Sequence, residues 1–283
     1  MGQRTLINLA LLLVIAGLAL IIAFAPDEEP PLALEPLSHE NPRTVSRIRL
    51  KRAAGTTFEL RRVDGSWRLV EPMEIAANDF RVQTLVQMLA APVHTRIDAT
   101  PGQLARFGLA PPRARILLDE KEILFGDTEP IHGRRYLLYD GKVALVDDTF
   151  FSHVSSNAAN YVNLALLGRD PNPQSFLLPG IRVYRVAGDW RLDSDGGNVD
   201  ADSISMLVDA WRHARATAVR PYEQSLNWND VVRIELADGD LRFDLAHTKY
   251  EVILGRPELG IQYHLTKGGG ARLLAFTPPD KPG

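Results

Sequence analysis

Short alternating segments joined by Asp-Gly turns, and single amphipathic helices set between them, describe an α+β protein with antiparallel sheets. An apolar N-terminal stretch and a phrase that occurs twice complete the plan: a transmembrane helix, then two tandem repeats of antiparallel sheet plus helix. The boundaries fall at 1–25 for the helix, 26–44 for a Pro-rich linker and 45–147 for the first repeat. A helical connector follows at 148–175, then the second repeat at 176–278 and a tail at 279–283. Strands and helices come in blocks without strict alternation, which favours α+β over a parallel sheet.

Leu6 to Ala25 is apolar except for Asn8. A helix of about 20 such residues crosses the roughly 30 Å hydrocarbon layer. A cleaved signal peptide is the alternative, and Ala23-Phe24-Ala25 has the small-x-small pattern for it. Against it, the run exceeds the roughly 7–15 residues of a signal core, and Pro26 would occupy the first position after the cut. Arg4 precedes the run and Asp27-Glu28-Glu29 follow it, so the positive-inside rule puts the N-terminus in the cytoplasm and the remainder outside. At about 100° per residue, Ala16, Ala19 and Ala23 lie within about 80° of Asn8 around the helix. Small side chains and one amide form a face on which a partner helix can pack; the alternative is a plain anchor with Asn8 at the headgroups. Residues 26–43 are rich in proline and acidic residues and read as a semi-rigid extended tether.

In the first repeat, Val45–Arg52 and Thr57–Val63 alternate as strands, Asp64-Gly65 is a two-residue hairpin turn, and Trp67 lies on the return strand. Asn78 or Asp79 caps a helix whose apolar positions are Val82, Leu85, Val86 and Leu89. Gln103–Phe107 forms a second short helix that stops at Gly108. Strands follow at Arg115–Leu118, Glu122–Phe125, Arg135–Tyr139 and Lys142–Val146, with turns at Asp119-Glu120 and Asp140-Gly141. Asp148–Leu167 reads as the helical connector, ended by Pro171 and Pro173.

The second repeat offers strands at Ile181–Val186 and Asp189–Leu192 and a helix from Asp202 to about His213. Further strands lie near Val231–Leu236, Leu241–Leu245, Tyr250–Leu254, Ile261–Thr266 and Arg272–Phe276. Gly65-Ser66-Trp67-Arg68-Leu69 is echoed by Gly188-Asp189-Trp190-Arg191-Leu192, which makes Trp67 and Trp190 structural anchors of the repeats. Glu122-Ile123-Leu124-Phe125-Gly126 is echoed by Glu251-Val252-Ile253-Leu254-Gly255, and the Tyr136 strand by the Tyr263 strand.

Composition narrows the function. The chain has 283 residues and a formal net charge of -3, and Arg4 is the single charged residue before the linker, so the remainder keeps an acidic balance unsuited to nucleic acid. There is no cysteine, which excludes disulfides, thiolate metal sites and cysteine nucleophiles. No metalloprotease, nucleophile-elbow, phosphate-loop or dinucleotide motif occurs, and no two histidines share metal-ligand spacing. Ser152-His153 are neighbours only in sequence, Asp147-Asp148 suit a helix cap, and Gly268-Gly269-Gly270 suits a hairpin loop. Trp211 and Trp228 are the aromatic candidates for an exposed surface.

The hairpin Trp67, the phrase Phe107-Gly108-Leu109-Ala110-Pro111-Pro112, the glycine-ended strand Ile123-Leu124-Phe125-Gly126, the Arg135-Tyr136-Leu137 strand and the strand Val143-Ala144-Leu145-Val146 resemble DUF4340, a bacterial family of unknown function. The resemblance covers roughly residues 45–200, with a weaker second copy. It implies a single-pass protein encoded near membrane-export ABC transporters and GldG-like partners, and it implies no catalytic residues.

The expected protein is therefore a non-catalytic accessory or scaffold subunit of an ABC-transporter-like inner-membrane complex, held in the membrane by residues 6–25 with its body in the periplasm. Its expected partners are an ABC permease and a GldG-like subunit, with no nucleic acid, metal or cofactor. A freestanding module for an envelope polymer or lipid is the alternative, followed by an envelope hydrolase. Intact-mass analysis of mature protein should find Met1 or Gly2 at the N-terminus; a chain beginning at Pro26 would refute the uncleaved anchor.

Overall fold

The computed structural model describes residues 2–24, 34–52, 57–193 and 199–276. Helix α1 (Gln3–Phe24) is unbroken over 22 residues. Its side chains at 3–6, 9, 19 and 21–24, Ala19 and Ala23 among them, lie outside the described residues, as do the linker from 25 to 33 and the tail. Among the described residues no helix is long and apolar enough to cross a membrane. Met1–Glu35 and Pro36–Gly283 are separate compact units.

The larger unit is α+β with two antiparallel sheets. The first contains β1 (Arg47–Arg52), β2 (Phe58–Val63), β3 (Ser66–Glu71), β4 (Ile75–Ala76), β5 (Val93–Ile97), β6 (Ala114–Leu118), β7 (Lys121–Thr128), β8 (Arg135–Tyr139) and β9 (Lys142–Val146). The second contains β10 (Pro173–Leu178), β11 (Ile181–Val186), β12 (Asp189–Asp193), β13 (Ala218–Pro221), β14 (Trp228–Leu236), β15 (Gly239–His247), β16 (Glu251–Arg256) and β17 (Ile261–Thr266). Apart from β4, the orders are the same: β3-β2-β1-β6-β7-β8-β9-β5 and β12-β11-β10-β14-β15-β16-β17-β13. A helix follows the third strand of each set, α2 (Asp79–Val86) or α4 (Ala201–Arg212), and another follows the last, α3 (Phe151–Val154) or α5 (Lys267–Leu274).

Local chemistry accounts for these elements. Asp64 and Gly65 have φ of 49° and 77°, and Asp140 and Gly141 have 49° and 74°, the two positive values of a type I′ hairpin turn. Asn78 caps α2 by accepting from the Arg81 N–H at 3.3 Å, and Val82, Leu85 and Val86 turn inward. Asp200 caps α4 by accepting from the Ser203 N–H at 2.6 Å. A single hydrophobic cluster joins the inner faces of both sheets to the helices. In the second half it includes a run of rings, Trp190–Phe176–Trp211–Phe243–Tyr263, with neighbouring centroids 5.8–6.4 Å apart.

Several expectations are corrected. The connector is not a continuous helix: it has one turn at Phe151–Val154, a 3-10 turn at Ala158–Tyr161 and otherwise irregular backbone. Beyond these local turns, its backbone groups bond to both halves. Tyr161 O accepts from Asn78 N, Asn163 N donates to Ala76 O, Leu166 N donates to Ala214 O, and Leu164 O accepts from Ala216 N. Arg272–Phe276 is not a strand, and Gly268-Gly269-Gly270 is not a hairpin loop; the glycines form the first turn of α5. Thr266 Oγ1 caps it by accepting from Gly269 N at 3.1 Å, and Gly270 lies so close to Val252 that a Cβ would overlap that side chain. The β7/β16 and β8/β17 echoes are displaced by one strand, because β16 is the topological counterpart of β8 and β17 of β9. The last part of the expected tether belongs to the body: Leu37 is 2% exposed and its N–H donates to Ala91 O at 2.8 Å.

Trp67 on β3 and Trp190 on β12 occupy equivalent strands; Trp67 is 6% exposed, whereas Trp190 is half-buried beside Phe176. Trp67→Ala should cost about 3–5 kcal/mol, the range for truncating a packed aromatic. Trp190→Ala should cost less. Denaturant melts test this ordering, and equal losses would contradict the difference in packing.

Candidate functional site

The site begins with a two-residue period. In β1, Ile48 and Leu50 turn into the core, which leaves Arg47, Arg49 and Lys51 on the outward face. Antiparallel register sets Glu59 opposite Arg49 and Arg61 opposite Arg47. Glu59 is on this outward face yet is fully buried, because three guanidinium groups close over it.

The bonding is dense. Arg47 Nε and Nη2 donate to the two Glu59 oxygens at 3.0 Å each. Arg49 donates to Oε2 through Nε at 3.0 Å and Nη2 at 2.7 Å, and Arg61 Nε donates to Oε1. Burial by itself pushes the Glu59 carboxyl up, but hydrogen bonds from Arg47, Arg49 and Arg61 outweigh it and bring the group down to about 2. The arginine side chains remain 43%, 42% and 51% exposed, so one carboxylate holds three cations that solvent still reaches. Arg68 stands opposite Arg61 and 3.6 Å from Glu74. Arg115, opposite Lys51, pairs with Glu122 at 2.7 Å. Asp119 is spent on the Ser46 and Arg47 N–H groups and the Ser46 hydroxyl.

The corresponding face of the second sheet has a different chemistry. Register lines up Arg182, Leu177, Arg233 and Arg242 across four strands with no carboxylate in the row, and Arg242 pairs along its own strand with Asp244 at 2.9 Å. Leu177 is 44% exposed. Beyond this row, Tyr222 and Trp228 stack at 4.8 Å over Gly255, where a Cβ would meet both rings. Tyr222 Oη donates to Asp244 at 2.9 Å, and Trp228 Nε1 donates to Glu223 O at 3.1 Å. Glu223 N donates to Gln262 Oε1, whose amide donates to His264 Nε2 at 3.0 Å. That leaves His264 Nδ1–H to donate to Glu251 at 2.9 Å.

Residues singled out in the sequence are dispersed. Asn8 and Ala16 lie on α1, and the Ala19 and Ala23 side chains are outside the described residues. Trp211 is not a surface residue: it is 0% exposed, with Nε1 donating to Leu273 O at 2.8 Å. Trp228 is half-buried in the ring stack. Asp147 and Asp148 do not cap α3. Asp147 meets His94 at 2.9 Å, while Asp148 takes Arg135 through two bonds of 2.6 and 2.7 Å. The same arginine donates to Gly126 O and lies over Phe151 at 3.8 Å. The Phe107–Pro112 phrase is a clamp: Gly108 turns at φ 66°, and a Cβ at Gly126 would overlap the Phe107 carbonyl oxygen. Among the described residues no group of three or more His, Asp or Glu is placed to hold a metal. Sequence reasoning passed over the Glu59 cluster, although alternation in Arg47-Ile48-Arg49-Leu50 already aligned its cations.

Fold and site together define a duplicated antiparallel-sheet protein that turns an arginine face to solvent. The chain belongs to the DUF4340 family, described as a domain of unknown function, which it matches over residues 67–241. No curated protein and no solved structure matches it.

The Glu59 carboxyl, at about 2 in the folded protein, lies below its unfolded value near ~4.3. Its stabilising effect is complete above that unfolded value and is lost as pH falls toward about 2. Glu59→Gln should therefore lower the melting temperature at neutral pH, with a deficit that narrows as pH falls from ~4.5. A deficit that does not change with pH would show that the ionised carboxylate is not the anchor.

Proposed function

We propose that this protein is a membrane-anchored, non-catalytic accessory or scaffold subunit of an ABC-transporter-like assembly in a bacterial inner membrane, with its body in the periplasm. The observation that carries the reading is the arginine face: cations fixed by a buried carboxylate, yet about half exposed, suit recognition more than chemistry. The apolar run Leu6–Ala25, with Arg4 before it and Asp27-Glu28-Glu29 after it, supports an anchor with a cytoplasmic N-terminus. Asn8, Ala16, Ala19 and Ala23 supply the face for a partner helix. A second reading, a module for an envelope polymer, is favoured by the half-buried Tyr222–Trp228 stack, since aromatic rings with a polar rim suit a sugar.

Affinity purification from membranes with the N-terminal helix intact decides between them. Permease and ATPase subunits should co-purify, and leucine at Ala16, Ala19 and Ala23 should reduce their yield while membrane insertion persists. A chain that leaves the membrane alone after crosslinking, but is retained on a polysaccharide matrix, would overturn the accessory reading in favour of the second.

A further inference from the structure

We propose that the outward face of β1, β2 and β3 is a docking strip for an extended acidic segment of a partner protein, whose alternate carboxylates pair with Arg47, Arg49 and Arg61. This rests on the binding role proposed above and gives the partner a chemistry.

Charge complementarity is the first argument. A guanidinium has five N–H donors. Arg47 and Arg49 spend two each on Glu59, and Arg61 spends one. The remaining donors suit the two-pronged capture of further carboxylates. Lys51 lengthens the strip along β1, and Arg68 and Arg115, which also face Glu74 and Glu122, widen it across the strands.

Spacing is the second. Arg47 and Arg49 are two residues apart on one strand, about 6.6–6.8 Å, the repeat of alternate side chains in any extended chain. Arg47, Arg49 and Lys51 follow one another at that interval along β1, so carboxylates from such a chain meet a cation at each step, with Arg61 beside the first.

Pinning is the third, and it separates a peptide from a lipid surface. Glu59, with the exposed Glu71 opposite it on β3, lowers the net charge of the face, which weakens attraction to a fluid anionic bilayer. In exchange it fixes the guanidinium positions before any partner arrives, so less side-chain freedom is lost on binding. That trade favours acceptors held at fixed intervals. The site is also an open sheet face and not a cavity. A groove of ≈ 790 Å³ lies beside Leu37, Arg96 and Lys142, and another of ≈ 570 Å³ lies beside Ala165 and Arg212.

The test uses full-length protein in a zwitterionic detergent and a fluorescent peptide with Glu at alternate positions, followed by anisotropy. The Glu peptide should bind and a Gln counterpart should not, and affinity should fall at least about tenfold as ionic strength rises to ~0.5 M. Arg61→Gln should weaken binding about fivefold or more, as should the double lysine variant R47K/R49K, which keeps charge but loses the fork. Lys51→Glu, which leaves the Glu59 contacts intact, should also weaken binding, and a thermal melt verifies that each protein is folded. Unchanged affinity in folded variants overturns the proposal. So does absence of peptide binding, including the case where phosphatidylglycerol vesicles bind through the same arginines. The two readings fail separately: transporter subunits that co-purify equally with wild type and Arg61→Gln refute the docking strip alone, whereas their absence from the wild-type purification refutes the accessory reading.

Discussion

The pairing of β1 with β6, and of β10 with β14, sets the plan of each half. Each is a long-range antiparallel ladder that closes over a hairpin, a helix and an edge strand, and every later strand is added beyond it. Closing such loops costs chain entropy that grows slowly with length, and the buried inner faces offset it. Once Ile48 and Leu50 are committed inward, the intervening residues have no choice of side. The arginine face is thus a by-product of core formation that the sequence has occupied with cations. Glu59 then becomes possible: a carboxylate fully removed from water is costly unless charged donors surround it, and register supplies three.

Much of this was readable from residues alone. Asp-Gly pairs announced hairpins because Asp and Gly readily take the positive φ of a type I′ turn, whose twist matches the strands, and the first-half strands followed from alternation. Edge strands β5 and β13 escaped because they are short and partly polar, and their positions are decided by a neighbour and not by their own pattern. The connector and α5 escaped for a related reason. Apolar residues at helical intervals between Phe150 and Leu167 reflect burial between two halves, not a helix. The glycines at 268–270 serve close packing against Val252 and not a turn. Trp211 shows how an indole on a polar-looking helix can be the centre of a core, given a carbonyl for its N–H.

The cation cluster was the part of the site hidden from sequence reading. Its residues come from two strands, and nothing in a single strand announces that Arg49 will face Glu59. Family landmarks pointed elsewhere, to Phe107–Pro112 and Gly126, and these are explained by contact: a turn folded so tightly onto β7 that only glycine fits beneath it. Such landmarks report how the body is built. The outward residues are not fixed by that packing, which is why the two halves share strand order but differ in surface.

That difference has a consequence for how the chain avoids mistakes. Two units of the same strand order on one chain invite exchange, with β10 settling beside β2 in place of β1. In the equivalent register Leu177 would then stand where Arg49 belongs, opposite Glu59. The carboxylate would enter a buried position without its bidentate partner, a fault on the order of several kcal/mol. The arginine-bound glutamate therefore acts as a lock with one key, telling the first copy from the second while the chain is still assembling.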